Sequence, residues 1–151
     1  MRDLGWDVQQ EIRLTKLIGR ALDRDYGDVD VLAWRPDSSR VMAMECKDLH
    51  YHKTIGEVAE QLSDLRGQIR NDGKPDHLKR HLDRVDILNR HKPELARSLG
   101  LSSDIQVEGH LVFKNFVPMK FAWDHPERTK NIEVCREPSL PIDLLSGCCS
   151  C

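Results

Sequence analysis

The sequence predicts an α/β fold, with α+β as the alternative, on three observations. Two apolar runs, 28–34 and 40–47, are separated only by Arg35 to Ser39, too short a link for a crossover helix, so they pair as an antiparallel hairpin. Two or three amphipathic, helix-capped stretches follow between 54 and 100. Strand-like apolar runs then return near 105–117 and 131–135. A length of 151 residues, with 39% hydrophobic and 32% charged residues, suits one domain with one core.

At the N-terminus, Val8, Gln10, Ile12 and Leu14 alternate with Gln9, Glu11 and Arg13, which favours a strand over 6–14 and a short helical turn through 15–22. A helix is the alternative, and it would place Glu11, Leu14 and Ile18 on one face. Gly27 opens the first hairpin strand, and Pro36 to Ser39 supply its turn formers. Thr54 with Glu57 three positions on is a capping box. Ile55, Val58, Leu62, Leu65 and Ile69 give that helix its apolar stripe, and it should stop between Gly67 and Gly73. Pro75-Asp76 starts a second helix, with Leu78, Leu82, Val85 and Leu88 inward. A short third helix runs from Pro93 to Leu99 and closes at Gly100. Phe113, Phe116 and Phe121 read as core, and 138–145 as a last packed turn.

Charge and cysteine usage narrow the functional classes. Twenty-three Lys and Arg against 25 Asp and Glu give a net charge of −2, which excludes a tail bound wholly by charge and leaves room for a local basic face. No apolar run approaches the ~18 residues of a membrane span, and no leader pattern opens the chain, so a cytoplasmic protein without membrane contact is expected. The domain is expected over 1–145. Residues 146–151, with Cys148, Cys149 and Cys151, read as a disordered tail too crowded to staple a core.

The chemistry gathers in the hairpin. Side chains two apart in a strand share a face, so Asp28 and Asp30 point together, as do Glu45 and Lys47. Val29, Val31, Ala33, Met42, Met44 and Cys46 take the opposite, core-facing side. Turning about Pro36 to Ser39 can bring Asp30 opposite Glu45. Two carboxylates and a backbone carbonyl form a hard oxygen site suited to Mg²⁺ or Mn²⁺, and a lysine beside it can offset charge growing on phosphorus.

The runs Gly27-Asp28-Val29-Asp30-Val31-Leu32-Ala33 and Met44-Glu45-Cys46-Lys47, followed by a loop and a helix through Gln61, resemble the PD-(D/E)xK nucleases, most closely the Mrr-type restriction endonucleases and archaeal Holliday-junction resolvases. The resemblance covers residues 4–70. It implies a restriction-endonuclease-like mixed sheet flanked by helices and a metal-dependent deoxyribonuclease. Asp30 and Glu45 would be its metal ligands together with the Cys46 carbonyl, and Lys47 its catalytic lysine. Asp28, Glu11 and Gln61 would be accessory, with the Cys46 side chain a buried structural thiol. Members generally begin with a helix that often carries a glutamate. Here Leu4 to Val8 reads as the end of such a helix, so the expectation is an N-terminally incomplete domain, part of a longer protein, or a chain in which Glu11 takes that role.

Substrate contacts are expected from the second helix. Residues 74–92 hold six Lys or Arg (Lys74, Lys79, Arg80, Arg84, Arg90, Lys92) against three Asp. Lys79, Arg80 and Arg84, with His77 and His81, are expected on a face away from the leucines, where they would meet DNA phosphates. His50 and His52 follow Lys47 in the loop, placed to touch a phosphate. DNA is the expected partner, and a homodimer is compatible with it. The alternatives are a catalytically inactive, nuclease-derived DNA-binding module and an interaction domain in which these charges are incidental.

Overall fold

A computed structural model describes residues 5–48, 54–114 and 132–135. His50, His52, Phe116, Phe121, the turn at 138–145 and the tail cysteines lie outside the described residues. The elements run β1 (Asp7–Arg13), α1 (Leu14–Ile18), β2 (Asp28–Arg35), β3 (Arg40–Lys47), α2 (Ile55–Ser63), α3 (His77–Arg90), α4 (Lys92–Leu99), β4 (Gln106–Phe113) and β5 (Ile132–Cys135). They form a mixed α/β sheet in the order β1-β2-β3-β4-β5. β1, β2 and β3 are antiparallel neighbours, whereas β4 lies parallel to β3 and β5 parallel to β4. The parallel β3–β4 step needs a long crossover, and α2, α3 and α4 provide it.

The N-terminal segment is a strand followed by one helical turn, as the alternation favoured. α1 stops at Ile18 because Gly19 takes the left-handed conformation, φ 73°. Glu11 also has a positive φ, 47°, between the pairs Gln10↔Val31 and Ile12↔Val29.

The hairpin is buried on both faces. Val31, Ala33, Met42 and Met44 form one cluster with Val112, and Cys46 packs against it. Leu32, Trp34, Val41 and Ala43 face the other way, onto Leu14 and Leu17 of α1, Val85 and Leu88 of α3, and Leu95 of α4. Val29 joins this second cluster rather than that of Val31, which corrects the single apolar face expected for β2. Leu88 is completely buried, and its truncation to Ala would cost about 2–5 kcal/mol.

The Thr54/Glu57 capping box starts α2 as expected, but the helix ends at Ser63 rather than between 67 and 73. The next backbone N–H groups find other partners. Leu65 bonds back to Leu62 in a tightened turn at 3.1 Å, and Gln68 donates to the Asp76 carboxylate at 2.8 Å. Asp76 is buried and also caps α3, accepting from the Lys79 N–H at 2.7 Å. One carboxylate thus ties the preceding loop to the start of α3 and sets where that helix lies. α4 closes at Gly100, φ 69°, with the Leu101 N–H on the Ala96 carbonyl at 2.8 Å. Among the described residues, no helix is long and apolar enough to cross a membrane.

Candidate active site

The β2–β3 register pairs Leu32 with Ala43 and Val31 with Met44. One step further brings Asp30 to Glu45, on the face that α3 covers. The Cys46 N–H donates to Asp30 Oδ2 at 2.7 Å, which fastens the first acid to the strand carrying the second. Glu45 is 5% exposed. Its Oε1 lies 2.7 Å from Lys47 Nζ, and its Oε2 forms an ion pair with Arg84 Nη1. Glu45 and Lys47 share a strand face, so their contact follows from the period of two.

Arg84 arrives from α3, and its guanidinium is itself anchored. Nε donates to the Tyr26 carbonyl at 2.9 Å. A Cβ at Gly27 would stand 3.3 Å from Arg84 Nη2, and Gly27 has φ 76°. That position therefore needs glycine both for its backbone and for the room it leaves the arginine. One turn earlier on α3, His81 is 1% exposed, and its Nε2 has no hydrogen-bond partner among the described residues. Burial pushes the His81 pKa down to about 4, against an opposing pull from Glu45, so the ring is neutral at neutral pH. His77 is lowered too, by burial and by the charges of Lys47 and Arg80. At spacings of four and three, His77, His81 and Arg84 lie on the side of α3 turned toward the acids.

The two carboxylates are driven apart electrostatically. Burial and the Glu45 charge push the Asp30 carboxyl above its ordinary value, and the Cys46 hydrogen bond only partly offsets them. Burial also pushes Glu45 up, but the Arg84 and Lys47 charges outweigh it and hold Glu45 below the usual carboxylate range. Glu45 is therefore the firmly ionised member of the pair, and Asp30 the one that an added cation would relieve.

The other sequence-predicted residues are placed as follows. Asp28 is at the strand entrance, 3.7 Å from Arg13 Nε. Glu11 is exposed on β1, an edge strand and not a helix. Gln61 is half-buried on α2. Lys79 pairs with Asp83 on its own helix. Arg80 is exposed and within 3.3 Å of His77 Nδ1. Arg84 and His81 are not on a solvent-facing side: the structure turns both inward, because α3 must cover the polar end of β3 as well as the leucine cluster. Cys46 is disulfide-bonded rather than a free buried thiol. Sequence reasoning missed the Arg84–Glu45 pair and the Tyr26-Gly27 seat beneath it. The signal was there in the His77, His81, Arg84 spacing, immediately beside the Leu78, Leu82, Val85 stripe.

Asp30 and Glu45, with a backbone carbonyl such as that of Cys46, are the hard oxygen donors that could hold Mg²⁺ or Mn²⁺, ions that keep several waters and need only one or two carboxylates. Burial raises the Asp30 pKa most and the Glu45 charge adds to it; that second, repulsive part is what a divalent cation would offset. Among the described residues, no group of three or more His, Cys, Asp or Glu is gathered for a metal.

A family model described as an anti-phage protein, Upx-like, matches residues 1–137. The chain belongs to the Upx-like family. No curated protein and no solved structure matches it. The match spans every element of this Upx-like chain from β1 to β5, so the hairpin acids and the α3 cations lie inside the family's own extent.

Proposed function

We propose that this Upx-like chain is a metal-dependent nuclease of the PD-(D/E)xK kind that hydrolyses DNA phosphodiesters. On this reading its sheet is the restriction-endonuclease-like core, and the family's anti-phage description corresponds to cutting invading DNA in the cytoplasm. The observation that carries the reading is the meeting of Asp30 and Glu45 across β2 and β3, locked by the Cys46 N–H, with Lys47 on Glu45. Asp30, Glu45 and the Cys46 carbonyl would hold the cation, which supplies Lewis-acid polarisation of the phosphate and charge for the departing oxygen. Lys47 stands where negative charge grows on phosphorus and offsets it. Arg84 keeps Glu45 ionised, and its Nε on the Tyr26 carbonyl ties α3 to the turn before β2.

Plasmid DNA incubated with the protein and Mg²⁺, Mn²⁺ or EDTA tests this directly. Cutting with either metal and none in EDTA is the expected result. One observation favours a second reading, an inactive nuclease-derived DNA-binding module: both oxygens of Glu45 already carry a cation from the protein. On that reading DNA is bound and left intact with every metal.

A further inference from the structure

A cleft of about 250 Å³ opens between the 24–27 turn that precedes β2 and the first turns of α3. Three guanidinium side chains line it, Arg24, Arg80 and Arg84, against two carboxylates, Asp25 and Asp83. Arg84 belongs to both places: it lines this cleft and ion-pairs with Glu45. Arg84 therefore stands between this cleft and the candidate catalytic carboxylate, Glu45. The other two cations are accessible, Arg80 being exposed and the Arg24 side chain 57% exposed. Arg24 is preorganised, its guanidinium 4.6 Å over the Tyr26 ring and its Nη2 2.9 Å from Asp83 Oδ2. Asp83 also takes Lys79, so one carboxylate restrains two cations at the rim.

We infer that this cleft seats a DNA backbone phosphate beside the bond to be cut, gripped by Arg24 and Arg80 with Arg84 as the floor. The inference rests on the proposed nuclease reading and adds to it the place where substrate is held. Guanidinium groups suit the task because their planar forks bind phosphate oxygens in pairs and never lose their charge. A phosphate arriving here competes with Asp83 for Arg24. Asp83 is accordingly a brake on binding, holding the cations in position at a cost in affinity.

The test measures fluorescence anisotropy of a short labelled DNA duplex across a salt series in EDTA, where DNA stays whole, using Arg24→Gln, Arg80→Gln and Asp83→Asn. Thermal melts check that each variant folds; exposed Arg24 and Arg80 leave the core untouched. Each arginine variant is expected to bind unrelated sequences more weakly and to flatten the salt dependence by about one unit. Asp83→Asn is expected to do the reverse, holding DNA to higher salt. Wild-type midpoints and slopes in both arginine variants, or an Asp83→Asn protein that releases DNA at the same or lower salt than wild type, would overturn the inference. Binding in EDTA is read apart from cutting, so a protein that never cuts but follows this pattern loses the nuclease reading and keeps the cleft.

Discussion

Arg84, in the middle of α3, forms a buried ion pair with Glu45 near the end of β3, 39 positions earlier in the chain. The arginine side chain is 12% exposed and the glutamate side chain 6%. Breaking a buried pair from one side leaves a charge without its partner, a loss of about 3–5 kcal/mol. Lys47 remains on Glu45, so Arg84→Ala should fall toward the lower end of that range, measured by urea unfolding. Arg84→Ala with Glu45→Gln should cost less than the two single changes added together, since the orphaned charge is then gone. Strict additivity would mean that the pair contributes no coupling.

Removing Arg84 also removes a cation that competes for Glu45. Mn²⁺ affinity of Arg84→Ala, followed by calorimetry, should therefore rise above wild type. A fall would show that Arg84 organises the carboxylates for the metal rather than competing with it.

His81 makes stability depend on pH. Its folded value, about 4, lies below the ordinary 6.5. The unfolded chain therefore takes up a proton near His81's ordinary pKa while the folded chain resists it. Stability is fully present above 6.5 and is lost as pH falls toward 4, by about 3 kcal/mol in total. Glu45, held below its usual range, loses its contribution in the same direction but at lower pH. In His81→Leu the stability curve between 6.5 and 4 should be shallower than in wild type, the remaining slope being that of His77 and the carboxylates. An unchanged slope would mean the imidazole is protonated in the folded chain.

Asp30 has the opposite sign. Its folded pKa is raised, so its charge opposes folding at neutral pH and ceases to do so as pH falls below that raised value. Asp30→Asn keeps an oxygen for the Cys46 N–H and removes the repulsion. Without metal, its Tm should exceed that of wild type. Mn²⁺ should raise the wild-type Tm and leave Asp30→Asn unmoved. Equal metal responses in the two proteins would take Asp30 out of the metal site.

Much of this arrangement was legible because strand alternation and turn length are local. The five residues from Arg35 to Ser39 dictate an antiparallel hairpin, and the observed Val31↔Met44 register is the one that brings Asp30 to Glu45. Capping was equally legible at Thr54, Asp76 and Gly100, where one or two side chains decide the end of a helix. What escaped was tertiary. The apolar spacing through Leu65 and Ile69 continued the α2 pattern, yet Asp76 drew the neighbouring backbone out of the helix. Leu65 is buried all the same, and Ile69 is left 57% exposed. On α3 the leucine stripe marked only half of the inward side. Arg84 is buried against a polar partner contributed by β3, with His81 buried one turn before it, and an apolarity pattern alone carries no trace of such a partner.

Lys47→Ala should separate chemistry from binding. Both acids stay in place, Glu45 keeps Arg84, and the lysine is only partly buried, so the fold should survive. Single-turnover cleavage should fall by roughly 10²–10³, the scale seen when a charge-stabilising group is removed. Affinity for DNA should drop only as for one lost phosphate-facing cation.

The most direct test of the central claim is metal-dependent cleavage of plasmid DNA by wild type beside Asp30→Asn and Glu45→Gln, all three verified as folded. The account predicts nicked or linear product from wild type in Mg²⁺ or Mn²⁺, none in EDTA, and none from either variant with any metal. Cutting by the variants at the wild-type rate, or intact plasmid from wild type under every metal, would contradict it.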